Sequence, residues 1–437
     1  MQYDTQYAKG VDIMDSRQKL VISGGRRIEG ELAVQGAKNS VLVLLSAAVL
    51  AHGESILHNC PQLTDVDAAC RILSCLGCRC VRSGGTICVD ASTAAGFEIP
   101  ESLMREMRSS IMFLGSVLGR TGRCRLSFPG GCELGARPID LHLAALRQMG
   151  AEITEQHGYI ECTAASGLHG ARITLSFPSV GATENILLAA VTADGTTEIH
   201  NAAREPEICD LAAFLVKCGA RISGAGGSVI TIEGVERLYP AEHSVMPDRI
   251  VAGTYLCCAA ATGGELILSR CKSEDMTAFL AVLESMGCRA YSYGDGKLYF
   301  DAQRRLTAPP TIRTMPYPGF PTDIQAPIMA VTTLARGTSV FVETIFDNRY
   351  RHVPELVRLG ASIKAEGRVA VVEGVRSLSG AKVHAAELRG GAALVTAALA
   401  AEGTSEISGV CYIDRGYDSI ENVLRSVGAD IKRVTEK

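Results

Sequence analysis

Apolar positions recur three and four residues apart in stretches such as TDVDAACRILSCLG (64–77) and DSIENVLRSVG (418–428). That is the spacing of amphipathic helices. Each such stretch closes on a glycine, where a left-handed C-terminal cap belongs. Beyond the glycine, apolar and polar positions alternate and the chain turns at Gly, the pattern of a hairpin. Six copies of this junction follow one another: LGCRCVRSGGTICVD, MGAEITEQHGYIECT, CGARISGAGGSVITIEG, MGCRAYSYGDGKLYFDA, LGASIKAEGRVAVVEG and VGADIKRVTEK. Their glycines, Gly77, Gly150, Gly219, Gly287, Gly360 and Gly428, stand 68–73 residues apart.

A second helical pattern lies upstream of these junctions: NSVLVLLSAAVLA, ENILLAAVTA, VAGTYLCCAAAT, APIMAVTTLA and GAALVTAALAA. Its polar positions are few and small, and a helix apolar on every side is buried on every side. The unit that emerges is about 70 residues of βαβαββ type, judged by its internal period. Three units around a bundle of buried helices make one domain, and six make two. A solenoid is the alternative, but its repeats are usually shorter.

The chain has 437 residues, enough for two or three domains, and its 47% hydrophobic content supplies large cores. A net charge of −4 excludes wholesale attachment to nucleic acid or acidic membranes, so any anion must be met by a local cluster of cations. With no Trp and 5% aromatics, base stacking on aromatic platforms is disfavoured. The first twenty residues have no apolar signal core, and the longest apolar run, SVLVLLSAAVLA (40–51), is too short to span a bilayer. A cytoplasmic protein is expected. Sixteen cysteines are scattered along the chain. Cys75 and Cys78 have C-x-x-C spacing, with Cys70 and Cys80 beside them, but the second half of a zinc site is missing. We read them as small core hydrophobes and expect no metal and no cofactor.

Three places invite chemistry. Cys132 follows two glycines in SFPGGCELGARPIDLH (127–142), with Arg137 close enough in sequence to favour thiolate. Lys38 and Asn39 open the first apolar helix, where backbone amides suit a phosphate. Taken alone, Lys38 reads as a solvated charge. Asp323 precedes the helix IQAPIMAVTTLA and reads alone as its N-cap.

Ten motifs, in order, give these residues a context: GAKNS, MRSSIMFLG, PGGCELGARPIDLH, PSVGATENILLAA, NAAREPEI, PDRIVAGTYL, FPTDIQAP, ETIFDNRYRHVPEL, LRGGAALV and YIDRGYDSIE. Together they make the chain resemble the enolpyruvyl transferases, from about Gly24 to the C-terminus. The resemblance implies an α/β fold: a two-domain inside-out α/β barrel with six βαβαββ repeats, three per domain. Residues 39–246 would form one domain, and 1–38 with 247–437 the other, with a cleft between them that closes on its substrates. It implies transfer of the enolpyruvyl group of phosphoenolpyruvate to the 3′-hydroxyl of UDP-N-acetylglucosamine by addition and elimination, the first committed step of peptidoglycan precursor synthesis. A shikimate-pathway enolpyruvyl transferase, or a non-catalytic UDP-sugar-binding paralogue, are the alternatives.

Under that resemblance Cys132 is the proton donor and the target of fosfomycin, and Lys38, with Asn39 beside it, contacts phosphoenolpyruvate. Asp323 contacts the sugar hydroxyl as base or as positioner. Arg108 and Arg137 meet the phosphates, while Arg349, Arg389 and Arg415 come from the other domain. Pro138, Ile139, Asp140 and Leu141 resemble the uridine-binding segment, Ser179, Val180 and Gly181 face the nucleotide from the opposite side, and Ile345 and Phe346 line the sugar site. Glu205 and Glu207 are expected in supporting roles. Phe177 and Asp347 depart from the pattern, standing where relatives often carry Lys and Glu.

Overall fold

The computed structural model describes residues 18–128, 139–294, 296–302 and 305–435, apart from the side chain of Arg108. The chain divides into two compact units: one holds the described residues through Gln35 and from Pro247 onward, the other those between Gly36 and Met246.

The six glycines of the repeat occupy the left-handed region, with φ from 87° to 104°. The amide following each one donates back across the helix end. Cys78 bonds Leu73, Ala151 Leu146, Ala220 Leu215, Cys288 Leu283, Ala361 Leu356 and Ala429 Leu424, all at 2.9–3.1 Å. This is the Schellman closure, and only glycine enters it without a Cβ penalty. One local device therefore ends six helices and starts six strands.

Each repeat builds one four-stranded sheet. In the third, Arg172–Thr174 runs parallel to Thr196–His200, which pairs antiparallel with Val229–Glu233, and that strand hairpins with Arg221–Ser223. The register sets Ile199 beside both Ile173 and Ile230, and Ile222 opposite Ile232, so one face is continuously apolar. Three sheets depart from a contiguous repeat. Glu29–Ala33 lies parallel to Glu265–Ser269, and Glu242–Ser244 parallel to Glu54–His58, so each borrows a strand from a distant part of the chain. In the last sheet Gln18–Ser23 stands between Thr404–Ser408 and Asp430–Thr435.

Inside each unit lie three buried helices: Lys38–Ala48, Phe113–Thr121 and Val180–Ala190 in one, Arg249–Thr262, Thr322–Thr332 and Leu388–Ala400 in the other. Phe113–Thr121, which is entered through a 3₁₀ turn at Arg108–Met112, fills the place that the apolar pattern left open. Helices inside and sheets outside invert the usual barrel. Hydroxyls within these helices bond their own backbone, as Thr254 does to Ile250 (3.0 Å) and Thr396 to Ala392 (2.9 Å). Charged and strongly polar side chains gather instead at the N-terminal ends. Among the described residues no helix is long and apolar enough to cross a membrane.

Candidate active site

In the unit that contains Pro247 onward, three helix N-termini meet. Asp323 is the second residue of Thr322–Thr332, and the N-cap is Pro321. Its carboxylate bridges two arginines: Arg349 Nη2 reaches Oδ1 at 3.0 Å, and Arg389 reaches Oδ2 from Nη2 at 3.1 Å and from Nε at 3.3 Å. The capping alternative for Asp323 gives way to this bridge. Arg349 also donates to the Thr322 carbonyl at 2.9 Å. Both guanidiniums are buried, at 2% and 4% exposure, while Asp323 keeps 27%, so it is the accessible member of the trio.

Arg389 is the second residue of Leu388–Ala400, whose N-cap Glu387 accepts the amides of Arg389 (2.8 Å) and Gly390. Burial opposes the charge of Arg389, but Asp323 and the Tyr417 hydroxyl, which accepts from Nη1 at 3.3 Å, more than offset it and hold the guanidinium charged. Tyr417 and Thr254 hydroxyls then bond at 2.9 Å, which joins the helix Arg249–Thr262 to the cluster. That helix is capped by Asp248 through the amides of Ile250 and Val251.

The predicted sugar-site pair joins the same group. Buried Glu343 accepts the amides of Ile345 (2.8 Å) and Phe346 (3.1 Å), and the Thr322 hydroxyl donates to it at 3.0 Å. The Arg349 guanidinium stands over the Phe346 ring, 5.5 Å from its centroid. Arg415 is half-buried, two residues before Tyr417. His352, which sequence reasoning missed, is buried beside Arg349. Burial and then the Arg349 charge push its imidazole down to about 3, so it stays neutral. A lone histidine in HVPEL carries no spacing signal that would have revealed it.

In the other unit, Lys38 is the first residue of its helix and is buried at 7% exposure. Its ammonium pairs with Asp65 at 2.7 Å, itself on the first turn of Thr64–Cys75 and 3% exposed. The solvated reading of Lys38 is therefore replaced by a buried ion pair. Asn39 next to it is exposed. Ser40 donates to Asp210, which also bonds His243 Nε2 (2.9 Å) and the Met246 amide (3.3 Å), and this anchors the helix start.

The two expected nucleotide segments are neighbours. Ile139 caps the helix Asp140–Gln148, which contains Leu141, and Ser179 caps Val180–Ala190 by accepting the Ala182 amide at 3.3 Å. His142 and Asn185 join them: Asn185 Nδ2 donates to His142 Nδ1 at 2.7 Å and to the Ile111 carbonyl at 3.0 Å, while Asn185 Oδ1 accepts the Gly115 amide at 2.7 Å. A Cβ at Gly181 would sit 3.0 Å from the His142 ring, so glycine permits the close approach. Burial pushes His142 down to about 4 against a small opposing effect of Asp140, which keeps the ring a neutral acceptor. The Arg108–Met112 turn is held by the same asparagine, so the Arg108 backbone belongs to this end of the unit.

Glu205 stands at the N-cap position of Pro206–Lys217 without a side-chain capping bond, and Glu207 is buried one residue into the helix. Burial, then Glu207 and Glu205, push the buried Glu184 carboxyl well up, so an acidic cluster sits behind the nucleotide segments. Phe177 is exposed, and the Asp347 carboxylate accepts from Arg368 Nε at 3.0 Å. Cys132, Arg137 and Pro138 lie outside the described residues.

Residues 22–424 match the sequence model of the family described as EPSP synthase (3-phosphoshikimate 1-carboxyvinyltransferase). The chain is 52% identical over 416 residues to UDP-N-acetylglucosamine 1-carboxyvinyltransferase 2 of Caldanaerobacter subterraneus subsp. tengcongensis, covering 95% of this chain and 99% of that one. It is 49% identical over 427 residues to UDP-N-acetylglucosamine 1-carboxyvinyltransferase 1 of Symbiobacterium thermophilum, covering 97% and 96%. Among solved structures, the enolpyruvyl transferase NikO from Streptomyces tendae superposes with a TM-score of 0.86 at 25% identity, covering 96% of this chain and 99% of that one. An EPSP synthase from Acinetobacter baumannii shares the fold, with a TM-score of 0.74 at 18% identity over 96% of this chain and 100% of that one.

Proposed function

This chain is a member of the EPSP synthase family, and from that premise we propose that it moves the enolpyruvyl group of phosphoenolpyruvate onto the 3′-hydroxyl of UDP-N-acetylglucosamine and releases phosphate. The family description names a shikimate acceptor. Full-length relatives at about half identity carry the nucleotide-sugar name, and that weighs for the sugar acceptor. We assign the reaction to the cytoplasm, as the first committed step of peptidoglycan precursor synthesis.

The observation that carries the reading is the Asp323 carboxylate, partly exposed and fixed by two buried arginines, with Asp323 and Arg389 at the N-termini of buried helices. Both substrates are polyanions, and helix amides with guanidiniums are the groups that receive them. Asp323 accepts the hydrogen of the 3′-hydroxyl as the sugar oxygen bonds to C2 of phosphoenolpyruvate. Cys132 gives its proton to C3, which becomes a methyl group. The tetrahedral species then loses a proton from C3 and the phosphate from C2, and the double bond re-forms. Lys38, Asn39, Arg108, Arg137, Arg349, Arg389 and Arg415 hold phosphate and carboxylate oxygens whose charge shifts through these steps. Pro138 through Leu141 and Ser179 through Gly181 hold the nucleotide, with His142 and Asn185 as the frame behind them. Ile345 and Phe346 face the sugar.

Phosphate release by the purified protein tests this. Release with phosphoenolpyruvate and UDP-N-acetylglucosamine is expected. Release only with shikimate 3-phosphate, or with neither acceptor, would overturn it. Fosfomycin is expected to add covalently to Cys132, as read by peptide mass mapping, and an adduct on any other residue would remove Cys132 from the mechanism.

A further inference from the structure

The cysteines other than Cys132 are not all core filler. Cys70 lies on the helix Thr64–Cys75, and Cys80 on the sheet-edge strand Arg79–Ser83 that follows the Gly77 turn. Residues two apart on a strand share a face, as do residues three apart on a helix. Cys80 and Arg82 therefore face Cys70 and Asp67, and Arg82 Nη1 donates to Asp67 Oδ1 at 2.9 Å. Beside that ion pair the thiols of Cys70 and Cys80 stand near enough to perturb each other's ionisation.

The two sulfurs are unequal. The neighbouring Cys80 thiol holds the Cys70 thiol below its ordinary range against its burial, with Arg82 and Arg71 assisting and Asp67 opposing. The same interaction, and then burial, push Cys80 up. Cys60 and Cys78, which flank the pair, are buried and pushed up to about 12 and about 11 by desolvation. Cys70 and Cys80 are only half-buried, within reach of a small oxidant. Among the described residues no group of three or more His, Cys, Asp or Glu is arranged to hold a metal ion.

We propose that Cys70 and Cys80 form a reversible disulfide when the protein meets a peroxide, with Cys70 as the attacking sulfur and Cys80 as the resolving one. The Cys70 thiolate attacks one oxygen of hydrogen peroxide. The O–O bond breaks, hydroxide leaves, and Cys70 becomes a sulfenic acid. The Cys80 sulfur then displaces its oxygen, which departs as water with the Cys80 proton, and the S–S bond forms. Overall two thiols lose two electrons and two protons, and one peroxide becomes two waters. An external dithiol reverses the step by exchange. The bridge would tie the helix to the edge strand across the Gly77 turn.

Peptide mapping after peroxide treatment and maleimide blocking reads the outcome. Trypsin cuts after Lys38, Arg71, Arg79 and Arg82, so Cys70 falls in peptide 39–71 and Cys80 in the tripeptide 80–82. The expected product is these two peptides joined, two hydrogens lighter than their sum, with fragment ions placing the bridge on Cys70 rather than Cys60. Dithiothreitol should release them. Cys80→Ser should halt at a sulfenic acid on Cys70 that dimedone traps, and Cys70→Ser should leave Cys80 as a free thiol. Recovery of both cysteines as intact maleimide adducts from the treated wild-type protein, or a bridge from either to a different cysteine, would overturn the proposal.

Discussion

Replacing Asp323 with alanine removes the one carboxylate that both Arg349 and Arg389 grip. The guanidiniums cannot follow it into water, because they are 2% and 4% exposed. The hydrogen bonds that remain are to neutral groups, the Thr322 carbonyl for Arg349 and the Tyr417 hydroxyl for Arg389, with Asp248 a weaker attraction on Arg389 than Asp323. Glu387 is engaged by the amides of Arg389 and Gly390. Breaking a buried pair by deleting one partner costs about 3–5 kcal/mol. Asp323 is itself 27% exposed, so water takes up part of the loss and the low end, about 3 kcal/mol, applies. For a unit of this size each kcal/mol moves the melting temperature by about 2–4 °C, so the drop should be roughly 6–12 °C. Far-ultraviolet circular dichroism is the assay, since the chain has no Trp to report unfolding. Acetate returns a carboxylate to the hole, so it should recover part of the loss in the variant and leave the wild type unmoved. A variant that melts with the wild type and ignores acetate would show that the bridge does not hold this end of the unit together. The turnover rate should also fall by about two orders of magnitude or more, as loss of a positioned acceptor does.

Lys38→Met should destabilise by about 3 kcal/mol, because Asp65 stays buried without its ammonium. Adding Asp65→Asn should recover at least about 1 kcal/mol of that in a double-mutant cycle followed by urea unfolding, while phosphate release stays low in both variants. Gly287→Ala, with φ of 104° and nothing near the new methyl, should cost only backbone strain of about 1–2 kcal/mol. Gly150→Ala should cost clearly more in the same melts, since its Cβ would collide with the His169 ring. Stability should fall with acidity between pH 6.5 and about 4, because the unfolded chain takes up the proton that folded His142 refuses. The contribution is complete above pH 6.5 and is lost as pH falls to about 4, at about 1.4 kcal/mol per pH unit. His142→Gln should remove that share of the slope from a urea-midpoint profile against pH and leave the share of His352, whose folded imidazole also refuses the proton.

The repeat was legible because its signals are local. A helix of amphipathic spacing, a glycine and an alternating strand lie within about 25 residues, and the Schellman closure depends on nothing outside that window. The same signals do not say which strands close three of the sheets. Glu29–Ala33 and Glu242–Ser244 pair with partners far away along the chain, and no short-range pattern announces which edge a strand will complete. The candidate site was read from motifs that resemble a family, and residues inside those motifs to which the resemblance gave no role escaped. His142 and Asn185 act through each other across two helices, and His352 is kept neutral by its own burial and then by the charge of an arginine three residues earlier.

Length, the six-fold period, helices apolar on every side and the small net charge follow from residue order, because each depends on neighbours along the chain. Charge state and partner do not. Lys38 in a sequence is a solvated cation, and it becomes a buried ion pair when the helix Thr64–Cys75 delivers Asp65 to it. Asp323 reads as a helix cap, and it becomes a clamp when Arg349 and Arg389 arrive from two other segments. Desolvation and Coulomb attraction act through space, so packing had to bring these groups together before their chemistry was defined.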